Sequence, residues 1–352
     1  IIVDDGSGDE TPAILDSYAD PRIVRLHNET NIGLTRSLNK GLAVARGEYV
    51  ARQDADDVSL PLRLACQVSF LDAHPTIAMV GSAFEEVYED GRISRVIPMP
   101  LGSQEIQEQL FYGHCFCHGS IVARLVCLRA VEGYDENFQV AQDRDLWLRL
   151  AARYDLANLP DVFYRLRVSQ FSVTGRFRPD QRASAHRAVQ QALERGSPSA
   201  SPQAQGRFFW LCSLDALADE NIGLAQAQLA EASRRNPALD EDAEWLMLAA
   251  ARRAFDRAND RDDLSSGLAL LTALYDMLPC PAGRLCSRHQ WAIAELNAAW
   301  AFRAYRMGNR NQVRQHCFDA WRAGWSQRAN IGLWSIFVRS VLPVGTPVVA
   351  QG

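Results

Sequence analysis

Apolar and polar positions change their rhythm about halfway along the chain. The first half alternates short β-rich runs with stretches of helical spacing. Ile1 to Val3 reads as the end of a buried strand, Asp4 to Thr11 as a polar loop, and Pro12 to Ala19 as a helix with proline in its first turn. Ile23 to Leu26 is a second strand. Thr35 to Ala45 sets Leu38, Leu42 and Ala45 at helical spacing, and Gly47 stops it. Tyr49 to Ala51 is a third strand. Strand, helix, strand, helix, strand predicts an α/β, doubly wound sheet, whose ligands bind beyond the carboxyl ends of the strands. Two acidic segments, Asp4-Asp5 and Asp54 to Asp57, follow such ends and are expected to face one crevice.

After about residue 178 the β-branched content falls and Ala, Arg, Leu and Gln take over. Gly196 to Gly206 is rich in Ser, Pro and Gly and reads as a linker. Beyond it the spacing predicts helical pairs, 207–218 with 221–235, 241–258 with 264–277 and 288–307 with 310–323, joined by short polar turns. Their large and small residues (Trp210, Ala216, Ala225, Ala232, Pro237) resemble tetratricopeptide-type hairpins. The predicted organisation is therefore an α/β domain over 1–178, a helix and linker over 179–206, an all-α helical-hairpin domain over 207–342 and a tail over 343–352. Trp245, Trp291, Trp300, Trp321 and Trp325 are expected in the helical core. The amphipathic run Trp334 to Leu342 is expected to close that core in preference to lying on a bilayer.

Bulk composition narrows the function classes. A net charge of −5 gives no footprint for nucleic acid, and no apolar run reaches the roughly 18 residues of a membrane span. The eight cysteines lack the spacing of a secreted disulfide framework. Cys115 and Cys117 with His114 and His118, and Cys280 and Cys286 with His289, lack the paired spacing of structural zinc sites. Reduced thiols in a cytoplasmic protein are the expectation.

The candidate chemistry lies in Gln53-Asp-Ala-Asp-Asp-Val-Ser-Leu-Pro61. Asp54, Asp56 and Asp57 directly follow a strand and repel one another unless something cationic sits among them. Hard oxygen ligands at this density favour Mg²⁺ or Mn²⁺, which shares its remaining sites with phosphate oxygens. A solvated acidic turn is the alternative for an isolated pair of this kind.

The segments Ile2-Val-Asp-Asp-Gly-Ser-Gly-Asp-Glu-Thr11, Asn31 to Leu42, Ala45 to Asp57, Gly133-Tyr-Asp-Glu-Asn-Phe138 and Ala141 to Arg149 resemble, in this order and spacing, the family 2 glycosyltransferases of the GT-A fold. The resemblance covers about residues 1–175 and implies a mixed sheet of GT-A type. It implies that Asp5 accepts a hydrogen bond from the imide of a uracil or thymine base, with a loop cap as the alternative. Asn31 and Gly33 would let the backbone pass close to the nucleotide, and Lys40 or Arg36 would meet the phosphates. Asp56 would ligate Mn²⁺ or Mg²⁺ directly, Asp54 would reach the ribose or the metal through water, and Asp57 would cap the following turn. Asp143 would be the general base of a single, inverting displacement. On a helix start Asp143 and Asp145 point about 200° apart, so only one faces the site. His118 matches the segment lining the acceptor side, a satisfied structural histidine being the alternative.

The sequence departs from the family pattern in three places. Gln142 stands where a Glu commonly precedes the base. Ser169 stands where many relatives carry a histidine able to complete the metal or diphosphate site, so Arg165 or Arg167 is left to supply positive charge there. The family's opening strand and helix have no counterpart ahead of Ile1. The sequence is therefore expected to be N-terminally incomplete and its sheet to lack a first strand.

The function so implied is metal-dependent sugar transfer from a nucleoside diphosphate sugar, UDP- or dTDP-linked, to a saccharide, lipid-linked or protein acceptor. The location implied is cytoplasmic or peripheral at the inner face of the membrane, with a membrane or protein partner for the helical domain. One competitor is a non-catalytic helical-repeat scaffold carrying an inactive transferase fragment. The other, a Mg²⁺-dependent phosphotransferase, would want an Asp nucleophile paired with a Lys and a Ser/Thr on neighbouring strand ends. Nothing after Asp57 supplies that set.

Overall fold

The computed structural model describes residues 1–168, 178–197, 200–278, 283–324 and 330–341. It divides into two compact units, Ile1–Ser201 and Pro202–Gly352.

In the first unit β1 (Ile2–Asp4) pairs in parallel with β2 (Arg25–His27), and helices α1 (Thr11–Ser17) and α2 (Leu34–Val44) follow them in turn. A second, six-stranded sheet carries β3 (Tyr49–Ala51), β4 (Val58–Ser59), β5 (Ile77–Val87), β6 (Ile93–Ile97), β7 (Val122–Arg124) and β8 (Asp155–Arg167). Its order is β3-β7-β5-β8-β4, with β6 added to β5. The long strand β5 runs parallel to β8 and antiparallel to β6 and β7, which makes the sheet mixed. Ala78 to Phe84 of β5 are buried without interruption, as expected of a strand covered on both faces. Helix α3 (Arg63–Ala73) closes one side, with Leu71 packed on Val80, Val122 and Ala157.

Where one doubly wound sheet was expected, the described residues form two. β1 finds a ladder partner only in β2, and β3 only in β7. Helix α2, which packs on β1, is tied by polar side chains to the loop ahead of α6. Its Thr35 hydroxyl donates to the Phe138 carbonyl at 2.6 Å, and Asn39 bonds both backbone groups of Tyr134, at 2.8 and 3.0 Å. The remaining helices are α4 (Ser103–Gln109), α5 (Leu125–Ala130), α6 (Gln142–Ala151) and α7 (Arg178–Glu194).

The second unit is helical. Hairpins pair α8 (Pro202–Ala218) with α9 (Ile222–Arg235), α10 (Ala243–Arg261) with α11 (Leu264–Met277), and α12 (His289–Arg306) with α13 (Arg310–Ala323), before α14 (Ile331–Val341). The three hairpin turns share one design. Glu220, Asp262 and Gly308 take positive φ (61°, 51° and 74°), and the next residue, Asn221, Asp263 or Asn309, caps the second helix with its side chain. The left-handed residue ends one helix and the cap satisfies the first free amides of the next. The expected linker is shorter than composition suggested, because Pro202 begins α8. Proline suits a first helical turn, where its missing N–H costs nothing.

Trp300 and Trp321 are buried, as expected of core residues, and so is Trp210; Trp245 and Trp291, also expected in the core, are only half-buried, and Trp325 lies outside the described residues. In α14, Leu333 and Ile336 pack into the cluster formed by α12 and α13, while Ile331, Trp334, Val338 and Val341 are exposed. Among the described residues no helix is long and apolar enough to cross a membrane.

Trp210 has no exposed surface and donates its indole N–H to the Leu246 carbonyl at 2.9 Å, joining the first hairpin to the second. Trp210→Ala should cost the helical unit about 3–5 kcal/mol. A fall in its urea midpoint of less than a tenth would show that this tryptophan is not a core anchor.

Candidate active site

The acid segment is held from behind before any acid is considered. Arg52 continues the β3–β7 ladder by donating its amide to Ile121 O at 3.0 Å. Arg63, at the start of α3, is fully buried and places all five guanidinium N–H groups on uncharged oxygens. Nε bonds Gln67 Oε1, Nη1 bonds Gln53 Oε1 and Ser59 Oγ, and Nη2 bonds the carbonyls of Arg52 and Ile121, at 2.7–3.2 Å. The loop between β3 and β4 is therefore fixed at both ends.

Within it each acid has a different environment. Asp54 pairs through Oδ2 with the Arg52 guanidinium, and its amide donates to the Tyr164 hydroxyl at 3.2 Å. Asp56 is exposed, while its backbone carbonyl accepts from Arg167 Nε at 2.9 Å. Asp57 accepts the Arg167 amide on Oδ1 at 2.8 Å and leaves Oδ2 buried without a hydrogen-bond partner. Burial raises the Asp57 carboxyl above its usual range, against the Arg167 and Tyr164 hydrogen bonds, and the charges of Asp54 and Asp56 raise it further. The cap expected of Asp57 is thus a tie to β8 rather than to its own turn, because Arg167 reaches it from the facing strand.

Near this loop lie a half-buried histidine and a buried tyrosine. His118, in a single 3-10 turn, meets the Tyr134 hydroxyl through Nε2 at 2.8 Å and packs edge-on against Trp147. Burial and then the Arg52 charge push the imidazole down to about 3, with Asp143 opposing, so it is neutral at pH 7. Tyr134 is raised by burial; Arg52 counteracts this while Asp143 and Asp54 add to it. The charges of Asp54, from the acid loop, and Asp143, from α6, thus converge on one hydroxyl.

Asp143 is only partly buried and accepts the Arg144 amide at 2.9 Å. Asp145 is fully buried against Arg149, at 2.6 Å, with Arg195 at 3.9 Å. The helical rotation between the two acids leaves Asp143 part-exposed and Asp145 buried on Arg149.

Asp5 organises the other strand end. Oδ1 accepts from Asn28 Nδ2 and the Ile32 amide and Oδ2 from the Gly33 amide, at 2.8–2.9 Å. Burial works to raise its pKa, but these bonds to the charged form win and lower it. Gly6, at φ 74°, lies so close beneath Thr30 and Asn31 that a Cβ would overlap their backbone. Asn31 is exposed, and Gly33 opens α2 at φ 92°. Lys40 donates to Asn28 Oδ1 at 2.5 Å, which joins it to the Asp5 network. Arg36 pairs with Glu136 at 3.4 Å. Arg165 pairs with Glu85 at 2.8 Å across the β5–β8 ladder, away from the role of a free charge.

Among the described residues no group of three or more His, Cys, Asp or Glu side chains is arranged to hold a metal ion. The exposed Asp56, the part-exposed Asp54 and the orphaned Asp57 oxygen supply hard oxygens in one loop, a donor set that suits a Mg²⁺-like ion completing its shell with phosphate. Cys115 and Cys117 are buried thiols pushed up to about 12, unsuited to zinc. Ser169 and Cys280 lie outside the described residues.

Residues 1–127 match the family model described as "Glycosyl transferase family 2". Over that stretch the N-terminal part of the chain is similar to that family. Its mixed sheet, followed by helices, is of the GT-A type. Over 174 residues the chain is 37% identical to "Putative glycosyltransferase EpsE" of Bacillus subtilis, covering 47% of this chain and 61% of that one. Over 149 residues it is 33% identical to "Amylovoran biosynthesis glycosyltransferase AmsE" of Erwinia amylovora, covering 42% and 55%. The chain thus spans between half and two thirds of the length of these relatives. Among solved structures, S. aureus TarS 1-349 superposes with a TM-score of 0.49 at 16% identity, over 78% of this chain and 81% of that one.

Arg52, Arg63, Tyr134 and Tyr164 had no role assigned from sequence. Two signals were there: an arginine ending an apolar strand, and another just after Pro61 at a helix start.

The depressed His118 pKa makes a pH prediction. Unfolded, the imidazole takes its proton near 6.5; folded, only near 3. The native state then binds fewer protons between these values, so stability is complete above about 6.5 and falls as pH drops towards 3. The denaturant midpoint of the first unit should fall more between pH 7.5 and pH 5 in the wild type than in His118→Gln. Equal falls would mean that His118 titrates normally.

Proposed function

We propose that the protein transfers a sugar from a nucleoside diphosphate sugar to a saccharide or lipid-linked acceptor, by one inverting displacement. The observation that carries this reading is the acid loop itself, with Asp54 and Asp56 presented at the end of β3 and held from behind by Arg63, within the stretch that matches the family model. The donor's diphosphate belongs at the acid loop. Asp56, with Asp54, would hold Mn²⁺ or Mg²⁺, which when bound neutralises charge gathering on the departing diphosphate.

The chain's own groups do the rest. Asp5, which is part-exposed and accepts the Gly33 amide on Oδ2, would accept the imide N–H of a uracil or thymine base, consistent with a UDP- or dTDP-sugar. Gly33 and Asn31 border the same loop, and Lys40 adds a positive charge to its network. Asp143 takes the proton of the acceptor hydroxyl as the new C–O bond forms and the bond to the diphosphate breaks on the opposite face. Neutral His118, tied to Tyr134, offers that hydroxyl a hydrogen-bonding wall without adding charge. Arg165 is committed to Glu85, which leaves Arg52, paired with Asp54, and Arg167, bonded to the Asp56 carbonyl, as the guanidinium groups beside the acids. The relative named for amylovoran biosynthesis supports a saccharide-building acceptor class.

Asp143→Asn should keep Mn²⁺-dependent UDP binding in calorimetry but lose about 10²–10⁴-fold in donor turnover across a UDP- and dTDP-sugar screen. Asp56→Asn should lose the metal-dependent part of UDP binding. A wild-type chain that binds no nucleotide with any divalent cation would favour the scaffold reading, and an active Asp143→Asn would remove the base from Asp143.

A further inference from the structure

The Arg52 guanidinium is in an unusual position for a group beside a metal-binding acid. Its side chain is 7% exposed, its only carboxylate bond among the described contacts is to Asp54, and its Nε is buried without a partner. Its backbone is clamped on both sides, the amide on Ile121 O and the carbonyl on Arg63 Nη2, so only the side chain is free to re-aim. Its charge acts on the His118 and Tyr134 side chains, and Tyr134 also feels Asp54 and Asp143.

We propose that Arg52 is a resident counter-ion that makes cation binding at Asp54 conditional on a diphosphate, a specificity device that rests on the donor-site reading above. With no ligand, the guanidinium neutralises Asp54 and stands where a dication would otherwise draw on that carboxylate. A bare Mn²⁺ must displace Arg52 or lie beside it, and either course is opposed: by loss of a buried ion pair in one case, by repulsion of like charges in the other. A cation arriving with a diphosphate meets no such opposition. The diphosphate oxygens accept the released N–H groups, including the Nε that now has no partner, while the cation takes Asp54 and Asp56. No bond is made or broken; one ion pair is exchanged for two. The acid loop therefore discriminates a metal–nucleotide from free metal, and Arg52 acts as a positioning residue for the phosphates.

The test is calorimetric titration of the full chain with Mn²⁺ alone and with Mn²⁺ at saturating UDP. The wild type should bind Mn²⁺ weakly alone and more tightly with UDP. Arg52→Met should bind Mn²⁺ alone about tenfold more tightly, the worth of one ion pair of this kind, and should lose at least about tenfold of the tightening that UDP confers. Arg52→Lys, which keeps a charge, should resemble the wild type with Mn²⁺ alone, and it serves if the Met variant fails to fold by circular dichroism: a Lys variant binding free Mn²⁺ as tightly as the UDP-bound wild type overturns the proposal. So does an Arg52→Met protein, folded, whose affinity for Mn²⁺ alone equals or falls below that of the wild type. So, too, does a wild type whose Mn²⁺ affinity is the same with and without bound UDP. Failure of the wild type to bind UDP with any cation would instead sink the transferase reading, and the comparison with Mn²⁺ alone would still decide the role of Arg52.

Discussion

A buried guanidinium with no acid to pair with holds the candidate site together. Arg63 bonds the end of β3, the residue before β7, both flanks of the acid loop and its own helix, all through uncharged oxygens. Burying an arginine this way is costly unless every N–H is satisfied, and here every one is. Burial presses its pKa down, yet a guanidinium stays charged at any physiological pH. The result is a fixed positive charge directly behind a loop of three carboxylates, with none of them tied up in neutralising it. An acid pairing with Arg63 would have been lost to ligand chemistry.

Rigid and adjustable parts follow from that division. Tyr164 lies with its ring under Arg63, 5.1 Å from the guanidinium carbon, while its hydroxyl receives the Asp54 amide. Gly119 is required by that tyrosine, since a Cβ there would overlap the Tyr164 hydroxyl. The His118-Gly-Ser120 turn is therefore set by packing against β8, and His118 inherits its position from it. Arg52 is the contrast. Anchored by its backbone but bonded through one tip, it has somewhere else to point.

What the sequence made legible was local, and what it hid was distant. The acid loop could be read because its members are consecutive and end a strand. Helical hairpins could be read from spacing, and the opposed fates of Asp143 and Asp145 from the 100° turn per residue. Tyr164 could not, because it meets Asp54 across 110 positions of chain. Tyr134 sits inside a motif that drew attention for its turn rather than for its hydroxyl. The single expected sheet divided because strand periodicity shows which segments are strands but not whether a ladder joins them. The start of α8 was hidden by composition: Ser, Pro and Gly suggested a linker, whereas Pro202 occupies the one helical position that welcomes proline.

Electrostatics then limits what the site can accept. Three carboxylates in the loop, with Asp143 from α6, make the site rich in negative charge, countered beside the loop by Arg52 and Arg167 and behind it by Arg63. His118, kept neutral by burial and by Arg52, adds nothing to that balance near pH 7. A phosphorylated ligand alone would add negative charge to acids already raising one another, as the Asp57 carboxyl shows. A bare dication would meet a guanidinium already paired with one of the two acids proposed to hold it. Only a ligand bringing both signs at once relieves both conflicts, and a metal–diphosphate complex is the simplest such ligand. In the proposed transfer an acceptor hydroxyl at the Asp143 side would be uncharged on arrival, and the proton it sheds would go to a carboxylate that has the neutral His118 imidazole and the Arg144 guanidinium near it.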